Sequence, residues 1–371
     1  MSDTETATSH PAAGLPAQSP PVDPAPTRRA TGRTGSGRLS WWNGEGGEGA
    51  KRNLGLVAVL VVLVVIGAAT RSDLYSNPDW VWNNTLTILK LASVVGVVTV
   101  GMTFVIIGGG IDLSVGAIVA LAGVWCTTVA TQSYGAGGMI FSALTVGLAV
   151  GLVNGLLISY GRLVPFIATL AMMVAARGLA AEISDKQTQV SDNQFINGIA
   201  STSPLGIPLL VYILAAVVAA GWVLLNRTTF GRRTVAVGGN PEAARLAGIN
   251  VRRHTLLLYA LSGLCCGIAA IMLTAQANSA QAAMANLYEL DAIAAAIIGG
   301  TLLSGGRGTI VGSLLGVLIF STITNLFAIN GLSTEAQNMV KGGIIVGAVL
   351  VQQVQFRSLT QFLGRNRATT S

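Results

Sequence analysis

Gly101-Met102-Thr103-Phe104-Val105-Ile106-Ile107-Gly108-Gly109-Gly110-Ile111-Asp112-Leu113-Ser114-Val115-Gly116 reads as an apolar helix that stops, turns and starts again. Three consecutive glycines are poor helix formers and open the backbone after Ile107. Asp112 then precedes a fresh apolar run, where its carboxylate can accept from the exposed amides of a new first turn. The flanking stretches, 84–108 and 113–132, are apolar over lengths that suit lipid rather than a water-facing domain. A bilayer core of about 30 Å needs roughly 20 apolar residues in a helix. The break therefore separates two spans, and irregular backbone at membrane depth is tolerated where it is buried in protein or lines a cavity.

The remainder of the chain agrees. Hydrophobic residues make up 51% of the 371 and charged residues only 10%, with a mean hydropathy of +0.64. A soluble domain carries about a quarter charged residues, so this chain cannot cover itself with a hydrated surface. Apolar runs at 54–70, 84–108, 113–132, 138–160, 164–183, 208–225, 255–276, 288–303, 308–330 and 335–353 predict an all-α bundle of about ten spans. Eight or nine remain open, because two pairs of runs nearly touch around Gly108–Asp112 and Ser304–Gly308. With both termini in the cytoplasm, the inner segments collect Arg28 to Arg52, Arg162, Arg227 to Arg253, Arg307 and Arg357 to Arg367. The outer loops then keep only Arg71 and Lys186, which is the asymmetry that orients bacterial inner-membrane proteins. This distribution accounts for the net charge of +7 without any nucleic acid.

Residues 1–50 are rich in Ser, Thr, Pro, Ala and Gly and read as a disordered cytoplasmic tail, 51–355 as the membrane domain and 356–371 as a second cytoplasmic tail. Glycines repeat every fourth residue at Gly147, Gly151 and Gly155, and again at Gly308, Gly312 and Gly316, marking helix faces built for close approach. Ile106-Ile107-Gly108-Gly109 and Ile297-Ile298-Gly299-Gly300 hint at an internal repeat, but the two hints imply different offsets. Cys126, Cys265 and Cys266 lie in apolar runs without metal-ligand spacing, so no metal or other cofactor is expected.

The basic loop at 226–254 contains a complete short-helix signature. Asn240 can cap, Pro241 suits the first turn, Glu242 favours the positive end, and Gly248 can terminate after Ala243 and Ala244. About two turns of helix are not stable alone, so this one rests either on its own membrane domain or on a partner.

These motifs resemble, in order, the ribose/xylose/galactose-type permeases of bacterial ATP-binding-cassette importers. The resemblance lies in Gly109–Gly116, Val164–Leu170 with Arg177–Ala180, Gly238–Ala244, and Tyr288–Ala295 through Gly305–Gly308, covering about residues 80–350. No Ile-x-Leu-Pro follows the loop, unlike the maltose-type branch. The resemblance implies the importer permease fold and a coupling role for Asn240, Pro241, Glu242, Ala243, Ala244 and Gly248 against an ATPase subunit. It also implies an extracytoplasmic sugar-binding protein, a second permease copy or paralogue, and a monosaccharide substrate, with a nucleoside or polyol as alternatives.

Candidate path residues are Gly108, Gly109, Gly110, Asp112, Ser114, Glu289 and Asp291, each of which also reads as a helix break or cap. Lys90, Arg177 (with Glu182 nearby) and Lys341 are expected to reach the outer interface along their aliphatic stems. A self-contained secondary transporter would share the hydropathy but needs no capped inner helix. A membrane enzyme lacks support, since His10 and His254 form no pair at membrane depth and no catalytic residues stand out. None of the four lysines follows a glycine, so no phosphate loop is present and the energy must come from a partner.

Overall fold

A computed structural model describes residues 45–367. Apolar chain in lipid must satisfy its amides internally, and the described chain is accordingly almost all helix. In order these are α1 (Glu45–Thr70), α2 (Ser72–Tyr75), α3 (Pro78–Ile107), α4 (Val115–Cys126), α5 (Val129–Gln132), α6 (Gly135–Ser159) and α7 (Pro165–Ile183). There follow β1 (Gln189–Val190), α8 (Gln194–Ser201), α9 (Leu209–Arg227), α10 (Thr229–Gly239), α11 (Pro241–Leu246) and α12 (Val251–Ala277). The chain closes with β2 (Ser279–Ala280), α13 (Tyr288–Ile298), α14 (Ile310–Ile329) and α15 (Thr334–Arg367). The two strands form one short antiparallel ribbon.

Among the described residues seven helices are long and apolar enough to cross a membrane: α1, α3, α6, α7, α9, α12 and α14. Of the runs behind the expectation of about ten spans, those at 113–132 and 288–303 hold shorter helices than their lengths predict. These contain α4 of 12 residues and α13 of 11. At 1.5 Å per residue they rise about 18 and 16 Å, roughly half a bilayer core. Apolar composition does not separate helix from buried irregular chain, which is why the runs looked complete. Helix α1 begins six residues inside the stretch read as tail, at Glu45, while 1–44 lie outside the described residues. The run 335–353 falls within α15, which continues to Arg367.

Helices α3, α4, α12 and α14 form the interior, and α1 packs at the edge against α14. The glycine stripe of α6 lies directly on α12. A Cβ at Gly151 would come within 3.0 Å of the Gly263 Cα, and one at Gly155 within 2.8 Å of the Leu256 Cα. The second stripe seats Gly312 and Gly316 against the Gly299 and Ala295 carbonyls of α13, whereas Gly308 meets the Ile107 side chain. With no side chains between them, helices approach at backbone distance and gain dispersion contacts that lipid cannot supply.

The repeated Ile-Ile-Gly-Gly pattern has a structural meaning. Helix α3 ends with Gly109 N donating to Ile106 O (2.9 Å) and Gly110 N to Val105 O (2.9 Å). Helix α13 ends with Gly300 N donating to Ile297 O (2.8 Å) and Thr301 N to Ala296 O (2.9 Å). Gly109 and Gly300 both adopt φ +84°, the left-handed conformation this helix stop requires. The two breaks are the same device used twice.

Gly263→Ala should lower stability by about 1–3 kcal/mol, because its methyl would press on the Gly151 Cα and the Gly147 carbonyl. Gly178→Ala, with nothing within 4 Å, is the control. Thermal unfolding in detergent should separate the two; equal midpoints would refute the packing argument.

Candidate functional site

Helix α11 forms as its sequence dictates. Asn240 Oδ1 accepts from Glu242 N (3.1 Å) and Ala243 N (3.0 Å), with Pro241 in the first turn where no amide is needed. Gly248, at φ +82°, ends it, donating to Arg245 O (3.0 Å). Arg245 Nε donates to Glu242 Oε2 (3.1 Å), and the guanidinium holds the Glu242 carboxyl below the ordinary carboxylate range. Both partners are exposed, so the pair fixes charge positions and adds little stability. Ala244 is the buried residue of this helix, while Leu246 is 76% exposed beside the ion pair. The helix thus rests on one alanine and presents an ion pair and a leucine outward.

The element feeding it is anchored more firmly. In α10, Thr234 Oγ1 and His254 Nε2 of α12 form a buried hydrogen-bonded pair (2.9 Å), and Phe230 packs on Phe104 and His254. At its end Gly238 lies backbone-to-backbone on the last turn of α3. A Cβ there would overlap the Ile107 carbonyl and come within 2.8 Å of Gly306 N. The same Ile107 carbonyl accepts from Gly306 N (2.8 Å), and a Cβ on Gly305 would sit 2.9 Å from the Gly109 Cα. Gly109, Gly238, Gly305 and Gly306 therefore make one junction joining α10, the first break and the turn after the second. Alongside, Arg52 of α1 donates to Gly300 O (3.3 Å) and Thr309 Oγ1 (3.0 Å), tying the edge helix to the second break.

Beyond the junction the first break turns inward to Asp112. Its Oδ1 accepts from Ser114 N (3.0 Å) and Ser114 Oγ (2.6 Å), and its Oδ2 from Ser262 Oγ (3.1 Å). Asn154 Nδ2 donates to Ser114 Oγ (2.8 Å), and Tyr259 and Thr169 hydroxyls donate to Ile111 O. Asp112 and Ser114 are completely buried. They knit α4, α6, α7 and α12 together; Asp112 takes the amide of Ser114, the residue before α4, rather than the first-turn amides that the capping reading expects. Sequence reasoning named Asp112 and Ser114 but not Ser262, Asn154 or Tyr259, since only the fold brings those helices together.

Glu289 and Asp291 lie elsewhere, in the first turn of α13, and the structure does not bring them to Asp112. Asp291 Oδ2 accepts from Lys341 Nζ (3.0 Å), with side chains 13% and 17% exposed. Lys341 also faces the Phe320 ring at 6.0 Å. The expectation that Lys341 reaches for the interface is corrected, because a carboxylate fifty positions away satisfies it first. Arg177 is corrected likewise: instead of turning to Glu182 or the interface it donates to Ala282 O (2.7 Å) and Met284 O (2.8 Å). Its guanidinium thereby satisfies carbonyls of the irregular chain between β2 and α13, which no helix partner could reach.

A helical bundle interrupted by two half-helices, with a capped exposed helix joined to both interruptions, defines a multi-pass permease of the plasma (inner) membrane. The chain belongs to the family described as branched-chain amino acid transport system / permease component, whose model matches residues 84–349, and it is a transporter subunit. It is similar to the ribose import permease protein RbsC of Bacillus subtilis (strain 168), 41% identical over 321 residues, 82% of this chain and 94% of that protein. The RbsC of Escherichia coli (strain K12) is 40% identical over 300 residues, covering 80% and 92% respectively. The galactofuranose transporter permease protein YtfT of Escherichia coli (strain K12) is 36% identical over 307 residues, covering 82% and 90%. No solved structure matches the chain.

Lys341→Met, which strands a buried carboxylate, should cost about 3 kcal/mol, whereas Lys341→Met with Asp291→Leu should recover most of it. Thermal unfolding of the two variants checks this; a double variant no more stable than the single would show that the pair is incidental.

Proposed function

We propose that the chain is the membrane-spanning permease subunit of an ATP-binding-cassette importer that moves a monosaccharide. The observation that carries this reading is α11, a capped two-turn helix exposed in the arginine-rich loop and joined, through Gly238 of α10, to the first helix break and to the turn after the second. Two turns of helix presenting an ion pair and a bare leucine suit a groove on another protein better than a free surface. The sugar class follows from the relatives named for ribose and galactofuranose import. A nucleoside or a polyol is the neighbouring possibility in substrate chemistry, since each also presents neutral hydroxyls.

In this reading the chain crosses the membrane ten times, with α4 and α13 as partial crossings and both termini in the cytoplasm. The arginines of α10, α11 and the start of α12 then lie on the inner side. Asn240, Pro241, Glu242, Ala243, Ala244 and Gly248 meet a separate ATPase subunit. An extracytoplasmic sugar-binding protein delivers substrate to the opposite face, and a second copy or paralogue of the permease completes the pathway. ATP hydrolysis belongs to the partner, because the sequence has no Gly-Lys-Ser/Thr phosphate loop. A secondary transporter has no use for a docking helix built in this way.

The permease alone in liposomes should show no ATPase activity, and adding its cognate ATPase subunit and binding protein should give sugar-stimulated turnover. Glu242→Lys should abolish stimulated uptake while membrane insertion is retained, and Gly238→Ala should leave the ATPase bound but reduce uptake by an order of magnitude or more, about the loss expected when packed backbones are forced apart. Failure of any ATPase subunit to copurify with the wild-type chain would sink the importer reading.

A further inference from the structure

The seam between α4 and α13 carries a buried carboxylate with one oxygen that the fold leaves unsatisfied. Glu289 is 7% exposed, and its Oε2 has no hydrogen-bond partner. That oxygen faces the start of α4, where a Cβ on Gly116 would come within 2.5 Å of it. Gly116 is the second residue of α4 and Glu289 the second of α13, so the first turns of two half-helices meet here. The leading amides of a helix have no carbonyl within it to accept them, and together they form its positive end. Arg177 of α7 lies close enough to Glu289 for electrostatic attraction, while its own hydrogen bonds go to Ala282 and Met284.

The backbone amides of Glu289 and Leu287 lie within reach of this carboxylate, yet Oε2 is left over. An oxygen buried without a partner costs about 1–3 kcal/mol or more for a charged group, and such atoms call for a use. The chain around it is also unlike the rest of the bundle. Residues 281–287 are irregular, Ala285 (φ +54°) and Leu287 (φ +66°) are non-glycine residues in the left-handed region, and the Ala285 carbonyl abuts Gly116. Strain of this kind persists where the surroundings over-determine it and collects at ligand clamps and switch segments.

We propose that this seam is a sugar-binding station on the transport path, closed in the present structure by residues 281–287. When the segment moves aside, Glu289 accepts hydroxyl protons and the first-turn amides of α4 donate to hydroxyl oxygens. A neutral polyhydroxylated ligand can do both at once. An anion is opposed by Glu289, and a cation by two helix N-termini and Arg177. The station rests on the importer reading for its substrate class, but its geometry is independent of α11.

Two measurements test it with D-ribose and D-galactose as probes. In liposomes containing the permease, its cognate ATPase subunit and binding protein, Glu289→Gln should raise the uptake KM about tenfold or more, the loss expected for one charge-assisted hydrogen bond. An unchanged KM would overturn the proposal. The second uses Ala285→Cys on the permease alone. Residue 285 is 6% exposed and the native Cys126, Cys265 and Cys266 are buried, so maleimide labelling reports the opening of this segment. A ligand that binds only the open seam shifts the population towards it. Saturating sugar should therefore accelerate labelling several-fold, and Glu289→Gln should abolish the acceleration. A rate unchanged or slowed by both sugars would overturn the station even if transport is normal. Loss of ATPase association in the first experiment would count against the docking role of α11 instead, leaving the labelling result to decide the seam.

Discussion

The carbonyl of Ile107 is the point on which the architecture turns. It ends a thirty-residue helix, so no helical amide can take it, and it belongs to a fully buried residue. It is satisfied by Gly306 N and covered by Gly238. One acceptor thereby joins the first break, the turn beyond the second, and the helix leading to α11. A Cβ at Gly238, Gly305 or Gly306 would press on backbone and separate these elements, leaving the Ile107 carbonyl without its partner, whereas at Gly109 it is the left-handed φ that calls for glycine.

The half-helices follow from the same accounting. A break opens backbone groups that must be met inside the protein. At the first break Asp112 takes the Ser114 amide and the Tyr259 and Thr169 hydroxyls donate to the Ile111 carbonyl, while Ser262 and Asn154 hold Asp112 and Ser114 in place. At the second, Arg52 reaches Gly300 and Thr309, while at the other end of α13 Arg177 reaches the carbonyls of Ala282 and Met284 in the chain that leads into it. The first solution is rigid, with every one of these side chains buried. Around α13 the restraints are long, partly exposed cations, Arg52 after it and Arg177 before it, and the chain entering it carries the left-handed residues Ala285 and Leu287. Of the two half-helices, α13 with its flanking chain therefore has the weaker restraints.

Much of this was legible in the sequence because the signals are local. Asn240-Pro241-Glu242 and Gly248 specify α11 within nine residues, and each acts through a bond no longer than a helical turn. The glycine stripes announce close packing because spacing of four needs only one helix to be read. The half-length of α4 and α13 was not legible. The run 113–132 extends through Thr127, Thr128, Thr131 and Gln132, where α4 has already stopped, and the run 288–303 extends across Gly299-Gly300, where α13 stops. The pairing of Lys341 with Asp291, and of Arg177 with Ala282 and Met284, spans fifty and about a hundred positions. Nothing in a residue's own neighbourhood announces such a contact.

A junction of bare backbones also suits the transfer of mechanical work. Side chains in contact can absorb a displacement by changing rotamer, at a cost near 1 kcal/mol. Between Gly238 and the Ile107 carbonyl there is no χ angle to change, so a shift of α10 must move the end of α3 or break the contact. The anchoring of α10 by Thr234 to His254 makes it move with the start of α12 rather than slide across it. A docking helix that rests on a single buried alanine would be a poor support for the membrane domain. As the end of a stiff lever whose fulcrum is a glycine junction, the same light seating is an advantage, because little must be broken for it to move.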